Sequence, residues 1–212
     1  MPAPRMFIVA GPPGAGKSSL FNLSDYADEM FNADDRAAQL NGGSYERIPL
    51  AVRAIVNREF EEFIHANIRS GMSFALETTL RSTITFDQAR LARENGFEVA
   101  MTYVALDTVE RHIERVKRRA ARGGHSASET TLRKIHASSL ANLPLALDSE
   151  NSGIDRVSVY DNSHSEGRPD PVLEARRGRI VRLGPDFPEW LQRALGWTAN
   201  ELARQRAELG CW

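Results

Sequence analysis

Residues 11–19 read GPPGAGKSS, between the apolar run MFIVA (6–10) and LFNL (20–23). Gly11, four residues, then Gly16-Lys17-Ser18 is the G-x-x-x-x-G-K-[ST] pattern. Its glycines let the backbone turn tightly, so that N–H groups face phosphate oxygens. Lys17 is placed to reach the terminal phosphates, and the Ser18 hydroxyl to hold Mg²⁺. Gly14, Ala15 and Ser19 complete the cradle; Pro12 and Pro13 have no N–H to give and stiffen its start. The motif needs a strand before it and a helix after it. MFIVA supplies the first, and Lys17 to about Leu23 is expected to supply the second.

Outward from this loop, short apolar runs alternate with segments of helical period. Strands are expected at EMFNAD (29–34), MSFALETTL (72–80), FEVAMTYVAL (97–106) and DRVSVYDNS (155–163). Helices are expected over 50–71, closed by Gly71, over 84–96, over the basic DTVERHIERVKRRAARGG (107–124), and over 128–143 with Ser128 as N-cap. Alternation of this kind argues for a three-layer α/β/α fold around a mostly parallel five-stranded sheet. Residues 164–178 are polar and read as a loop, RIVRL (179–183) as a short last strand, and 185–212 as a helical appendage to a body spanning 1–184.

Three further groups belong at the upper edge of such a sheet, where ligands bind. In FNADD (31–35), one of the adjacent carboxylates Asp34 and Asp35 caps a helix while the other accepts a hydroxyl proton. In ALETT (75–79), Glu77 either steadies water on Mg²⁺ or binds a substrate hydroxyl. Between Arg111 and Lys134, arginines and lysines far outnumber Glu114 and Glu129, and RGGHS (122–126) interrupts the run. This reads as a lid over about 111–140, hinged at Gly123-Gly124, whose arginines close on phosphates. In VALD (104–107), Asp107 with Glu110 reads as a capping box rather than a metal ligand.

The formal net charge of −1 over 212 residues gives no global basic field, and no aromatic residues interleave the basic run, so nucleic acid is not an expected partner. Cys211 is the single cysteine, which suits a reducing compartment. No run approaches membrane-spanning length or the apolar core of a secretory leader, so a cytoplasmic location is expected.

GPPGAGKSS, FNADD, SFALETTLRS, RVKRRAARGGHSASETTLRK, SLANLPLA and VSVYDNS occur in that order. Together, over about residues 6–163, they resemble the zeta-toxin family of P-loop kinases. The resemblance implies a P-loop NTPase fold that uses ATP and Mg²⁺ to phosphorylate the 3′-hydroxyl of the sugar in UDP-N-acetylglucosamine or a related UDP-sugar. Other relatives act on other alcohols, such as nucleosides, nucleotides or dinucleotides; a nucleotide-switched binding module is the non-enzymatic alternative. By position, the resemblance makes Asp34 the catalytic base, with Arg36 two residues on. Glu61, Glu77 and Thr79 become substrate contacts. Arg119, His125 and Arg133 fall in the phosphate-contacting lid. It also implies an antitoxin protein as partner.

Overall fold

The computed structural model describes residues 2–45, 47–121, 127–164 and 169–210. Five strands run parallel: β1 (Arg5–Ala10), β2 (Glu29–Phe31), β3 (Phe74–Thr78), β4 (Glu98–Ala105) and β5 (Arg156–Asp161). Two more, β6 (Pro171–Arg176) and β7 (Arg179–Leu183), add antiparallel at the edge beyond β5. The order is β2-β3-β1-β4-β5-β6-β7, with the strand that feeds the glycine loop in the middle of the five parallel ones.

The five strands expected for the sheet are thus the parallel ones, the short last strand RIVRL is β7, and the sheet has seven. The extra strand comes from 164–178, read above as a loop; Pro171–Arg176 is β6. Leu173 and Ala175 turn into the core while Glu174 faces the other way, which is the period of a strand.

One face of the sheet carries the long helices. α3 (Leu50–Ser70), α4 (Ile84–Glu94), α6 (Glu129–Leu147) and α8 (Glu189–Ala194) bury Ile64, Phe86, Leu143 and Trp190 in one cluster with Ile8, Leu76, Tyr103 and Val159. The other face carries α1 (Lys17–Leu20) and a 3₁₀ turn (Leu23–Asp25), which set Phe21 and Leu23 on Val9, Ala75 and Val104. α1 is a single turn, shorter than expected. α2 (Ala33–Leu40), α5 (Val109–Ala120), α7 (Ser149–Ser152) and α9 (Ala199–Glu208) complete the chain. No helix among the described residues is long and apolar enough to cross a membrane.

Helix ends correct two capping assignments. Asn32, not an aspartate, caps α2: its side chain accepts from the Asp34 and Asp35 amides at 3.0 and 3.3 Å. Both carboxylates are thereby released from capping. At α5 the cap is Thr108, one residue later than Asp107. Ser128 caps α6 as expected.

Candidate active site

Strand register assembles the site. Val9 pairs with Glu77 and Ala10 with Thr78, so the end of β3 lies beside the glycine loop that follows β1. Phe31 pairs with Leu76, so the exit of β2 carries Asn32 and the α2 acids to the same edge. These are the carboxyl ends of neighbouring parallel strands, where α/β sheets bind ligands.

Lys17 is buried, and its ammonium donates to the Gly11 and Pro12 carbonyls at 2.8 and 3.3 Å. Glu77 joins the two functional side chains of the cradle. One of its oxygens lies 3.6 Å from Lys17 Nζ, and the other accepts from Ser18 Oγ at 2.8 Å. Burial pushes the Lys17 ammonium below its ordinary pKa, while Glu77 and Asp34 pull it back up and Arg119 opposes them. A cavity of about 270 Å³ opens beside this pair, lined by Ser18, Phe21, Met30, Asn32, Asp35 and Glu77.

Of the two α2 acids, Asp35 accepts from Tyr45 Oη at 2.9 Å. Asp34 is exposed, and among the described residues no hydrogen bond ties its carboxylate, although its charge acts on Lys17 and on Tyr45. Arg119 is exposed too, and its charge also reaches both Lys17 and Tyr45. Lys17 and Glu77 are thus in contact, and the charges of Asp34 and Arg119 are both felt at Lys17.

Other expected residues have different company. Arg36 forms a two-pronged pair with Glu59, at 2.7 and 2.9 Å, that ties α2 to α3. Arg133 pairs with Glu110 at 2.8 Å and Glu129 at 2.9 Å, bracing α6 against α5. Most of the remaining α5 cations are solvated ion pairs: Arg111 with Asp107, Lys117 with Glu129, Arg118 with Glu114. Glu61 is exposed on α3, with no ion pair among the described residues. Thr79 follows β3, next to Leu80, whose backbone is left-handed at φ 54° and whose amide is held by Thr78 Oγ1 at 3.1 Å. His125 and the Gly123-Gly124 hinge lie outside the described residues.

Three residues that sequence reasoning passed over hold the loop from behind. His112 is buried; its Nε2 accepts from the Leu106 amide at 3.0 Å, so Nδ1 carries the proton and donates to the Pro13 carbonyl at 3.0 Å. Burial pushes its pKa down to about 3, aided by the charges of His136, Lys17 and Arg115 and opposed by the Pro13 carbonyl. Asn162 Nδ2 donates to the Ala15 carbonyl at 2.8 Å, and Arg115 donates to the Asn162 carbonyl at 3.0 Å. Asn162 stood in the sequence at the end of the fifth strand, within VSVYDNS, and His112 within the basic helix DTVERHIERVKRRAARGG, and neither was singled out.

Fold and site together define a P-loop NTPase-like protein with a kinase-like arrangement of its sheet. Residues 6–140 match the AAA domain family AAA_33, and the chain belongs to that family. An uncharacterised protein of Haemophilus influenzae is 28% identical over 126 residues, spanning 59% of this chain and 87% of that one. Among solved structures, a chain of the PezAT chromosomal toxin–antitoxin system of Streptococcus pneumoniae superposes with a TM-score of 0.63 at 14% identity, covering 99% of this chain and 88% of its own. A chain of the AvrRxo1-ORF1:-ORF2 complex crystallised with ATP superposes with a TM-score of 0.67 at 14% identity, over 91% of this chain and 63% of its own. At such identities the likeness is one of fold.

Proposed function

We propose that the protein is an ATP-dependent small-molecule kinase that moves the γ-phosphoryl group to an alcohol, with UDP-N-acetylglucosamine or a related UDP-sugar as the leading acceptor. The observation that carries the reading is Asp34, whose carboxylate no hydrogen bond ties among the described residues and whose charge acts on the cradle lysine from the exit of β2, one strand beyond β3. The choice of acceptor rests on the ordered motifs of the zeta-toxin family.

The acceptor hydroxyl gives its proton to Asp34 as its oxygen bonds the γ-phosphorus, and the bond to the ADP oxygen breaks. Lys17 and Arg119 neutralise charge on the moving group. Ser18 and Glu77 are hard oxygen donors that fit Mg²⁺, an ion which takes its other ligands from phosphate and water. When bound, that ion neutralises charge on phosphate oxygens. Glu61, Thr79 and His125 are assigned to the acceptor side. Arg36 and Arg133 serve it indirectly, by bracing α2 and the α5–α6 pair. Residues 1–184 form the kinase body in this reading, and 185–212 an appendage docked through Trp190 and Leu191, both buried in the main core. Likeness to a toxin–antitoxin chain supports an antitoxin as partner and toxicity as the biological output; growth arrest on expression, relieved by Lys17→Ala, is the expected phenotype.

Acceptor-dependent ADP release tests the reading. Asp34→Asn is expected to slow transfer by about 10²–10⁴-fold while Mg-ATP affinity is kept. Undiminished transfer in Asp34→Asn would refute the base. Mg-ATP binding without turnover on UDP-sugars, nucleosides and dinucleotides alike would favour a nucleotide-switched binding module.

A further inference from the structure

We infer that His112 and Asn162 are positioning residues that aim two amides of the glycine loop at bound phosphate, by holding the carbonyls on the opposite edges of the same peptide planes. This rests on the nucleotide reading above and adds to it how the loop acquires its donors.

In a trans peptide the carbonyl of one residue and the N–H of the next point in opposite directions. The Pro13 carbonyl faces His112 Nδ1 at 3.0 Å, so the Gly14 N–H faces away from α5. The Ala15 carbonyl faces Asn162 Nδ2 at 2.8 Å, so the Gly16 N–H faces away from the end of β5. Among the described residues, neither the Gly14 nor the Gly16 amide donates to any group of the chain. Two free donors, each with its peptide pinned from behind, are what a phosphate needs from such a loop.

The loop cannot easily turn over. Gly14 and Gly16 have φ of 79° and 91°, in the left-handed region. A Cβ on Gly14 would sit 2.4 Å from the His112 carbonyl oxygen, and one on Gly16 would sit 2.5 Å from Asn162 Nδ2. The glycines are therefore pressed against the two elements that supply the clamps. The clamps are themselves held: the His112 ring by the Leu106 amide, and the Asn162 backbone by Arg115 on its carbonyl and by the Ala105 carbonyl on its amide. The His112 tautomer and the Asn162 main chain are set before any ligand arrives, so little reorganisation accompanies binding. The loop most needs such help because Pro12 and Pro13 contribute no N–H.

Three substitutions separate the clamps. His112→Gln keeps an acceptor near the Nε2 position for Leu106 but loses the donor to Pro13. His112→Asn keeps a donor near the Nδ1 position. Asn162→Asp is isosteric and removes the donor to Ala15. Titration of the ¹⁵N-labelled full chain with Mg-ADP reads affinity and each amide at once. In the wild type, the Gly14 and Gly16 amide protons move downfield on binding. His112→Gln is expected to abolish the Gly14 displacement, keep that of Gly16, and weaken Mg-ADP roughly tenfold. Asn162→Asp is expected to do the reverse at the two glycines, with a similar loss of affinity. His112→Asn recovers the Gly14 displacement. A merely structural role would move both amides together, or neither. Each clamp is tested by its own variant, so failure of one to fold leaves the other to decide. Wild-type displacements and affinity retained in both His112→Gln and Asn162→Asp would overturn the inference alone. No Mg-ADP binding by the wild type would overturn the nucleotide reading, and the inference with it.

Discussion

The two sides of the candidate site are built differently. On the cradle side, Lys17, His112 and Asn162 are buried, and each has named partners at 2.8–3.3 Å. On the acceptor side, Asp34 and Asp35 are exposed at the first turn of α2, and the pair that anchors α2, Arg36 with Glu59, is only partly covered. Buried polar groups tolerate little displacement, because losing a partner leaves the other desolvated and unpaired. Exposed groups can turn to water instead. The cradle is therefore preset, and the rim proposed for the acceptor is free to adapt. That contrast suits a reaction in which one substrate is constant and the other distinguishes members of a family.

Substitutions should reproduce the contrast. The largest effect is expected in the cradle. Gly14→Ala must accommodate a φ of 79° and a backbone oxygen 2.4 Å from the new Cβ. The strained backbone alone costs about 1–3 kcal/mol, readable as a lower urea midpoint, and Mg-ADP affinity should fall with it. A wild-type midpoint would mean that the loop is as adaptable as the rim.

The next effect is a pH dependence. His112 has a pKa of about 3 in the fold, against 6.5 for a free imidazole. Between these values the unfolded chain takes up a proton that the folded chain refuses. This group's contribution is therefore intact above pH 6.5 and declines as pH falls towards 3, by about 1.4 kcal/mol per pH unit. Urea midpoints at pH 7 and pH 5, compared between wild type and His112→Asn, isolate the slope. Equal slopes in the two proteins would show that the imidazole titrates freely and that the loop is less tightly held than described.

Smaller effects belong to the rim. Arg36→Ala should lower the melting temperature slightly and raise the KM for the acceptor more than that for ATP, because it loosens α2 and leaves the cradle in place. Arg133→Ala should change least in stability, since its pairs with Glu110 and Glu129 are solvent-exposed. A loss from Arg133→Ala as large as that from Gly14→Ala would erase the distinction between the two sides.

The same division governs what could be read from the sequence. The glycine loop, the five parallel strands and the Gly71 and Ser128 helix boundaries follow from local rules of spacing, period and capping. RIVRL was likewise read as a strand and is β7, but β6, and with it the β6–β7 hairpin, did not emerge. Its two-residue turn places both Arg177 and Gly178 at positive φ, 47° and 74°, which calls for an Asn or Asp at the first position, and arginine hides the signal. The role of Asn32 was hidden for a related reason: three residues able to cap stand together in NADD, and only the backbone chooses among them. His112 and Asn162 could not be found locally. They meet Pro13 and Ala15 across 99 and 147 residues of chain, through the register of β4 and β5 beside β1. Asp34 was placed at the sheet edge by its motif, and in the fold β3 stands between its strand and β1, whereas Arg133 lies in its motif and pairs with Glu110 and Glu129.

Where the phosphoryl group goes decides between a kinase and a nucleotide-binding module. Phosphorus NMR of the purified chain with Mg-ATP and UDP-N-acetylglucosamine, beside the same mixture with Asp34→Asn, follows that atom. A new phosphomonoester resonance, formed by the wild type and absent with Asp34→Asn, is the predicted result. ADP and inorganic phosphate alone, with this acceptor and across a panel of UDP-sugars, nucleosides and dinucleotides, or a phosphomonoester that persists with Asp34→Asn, would contradict it.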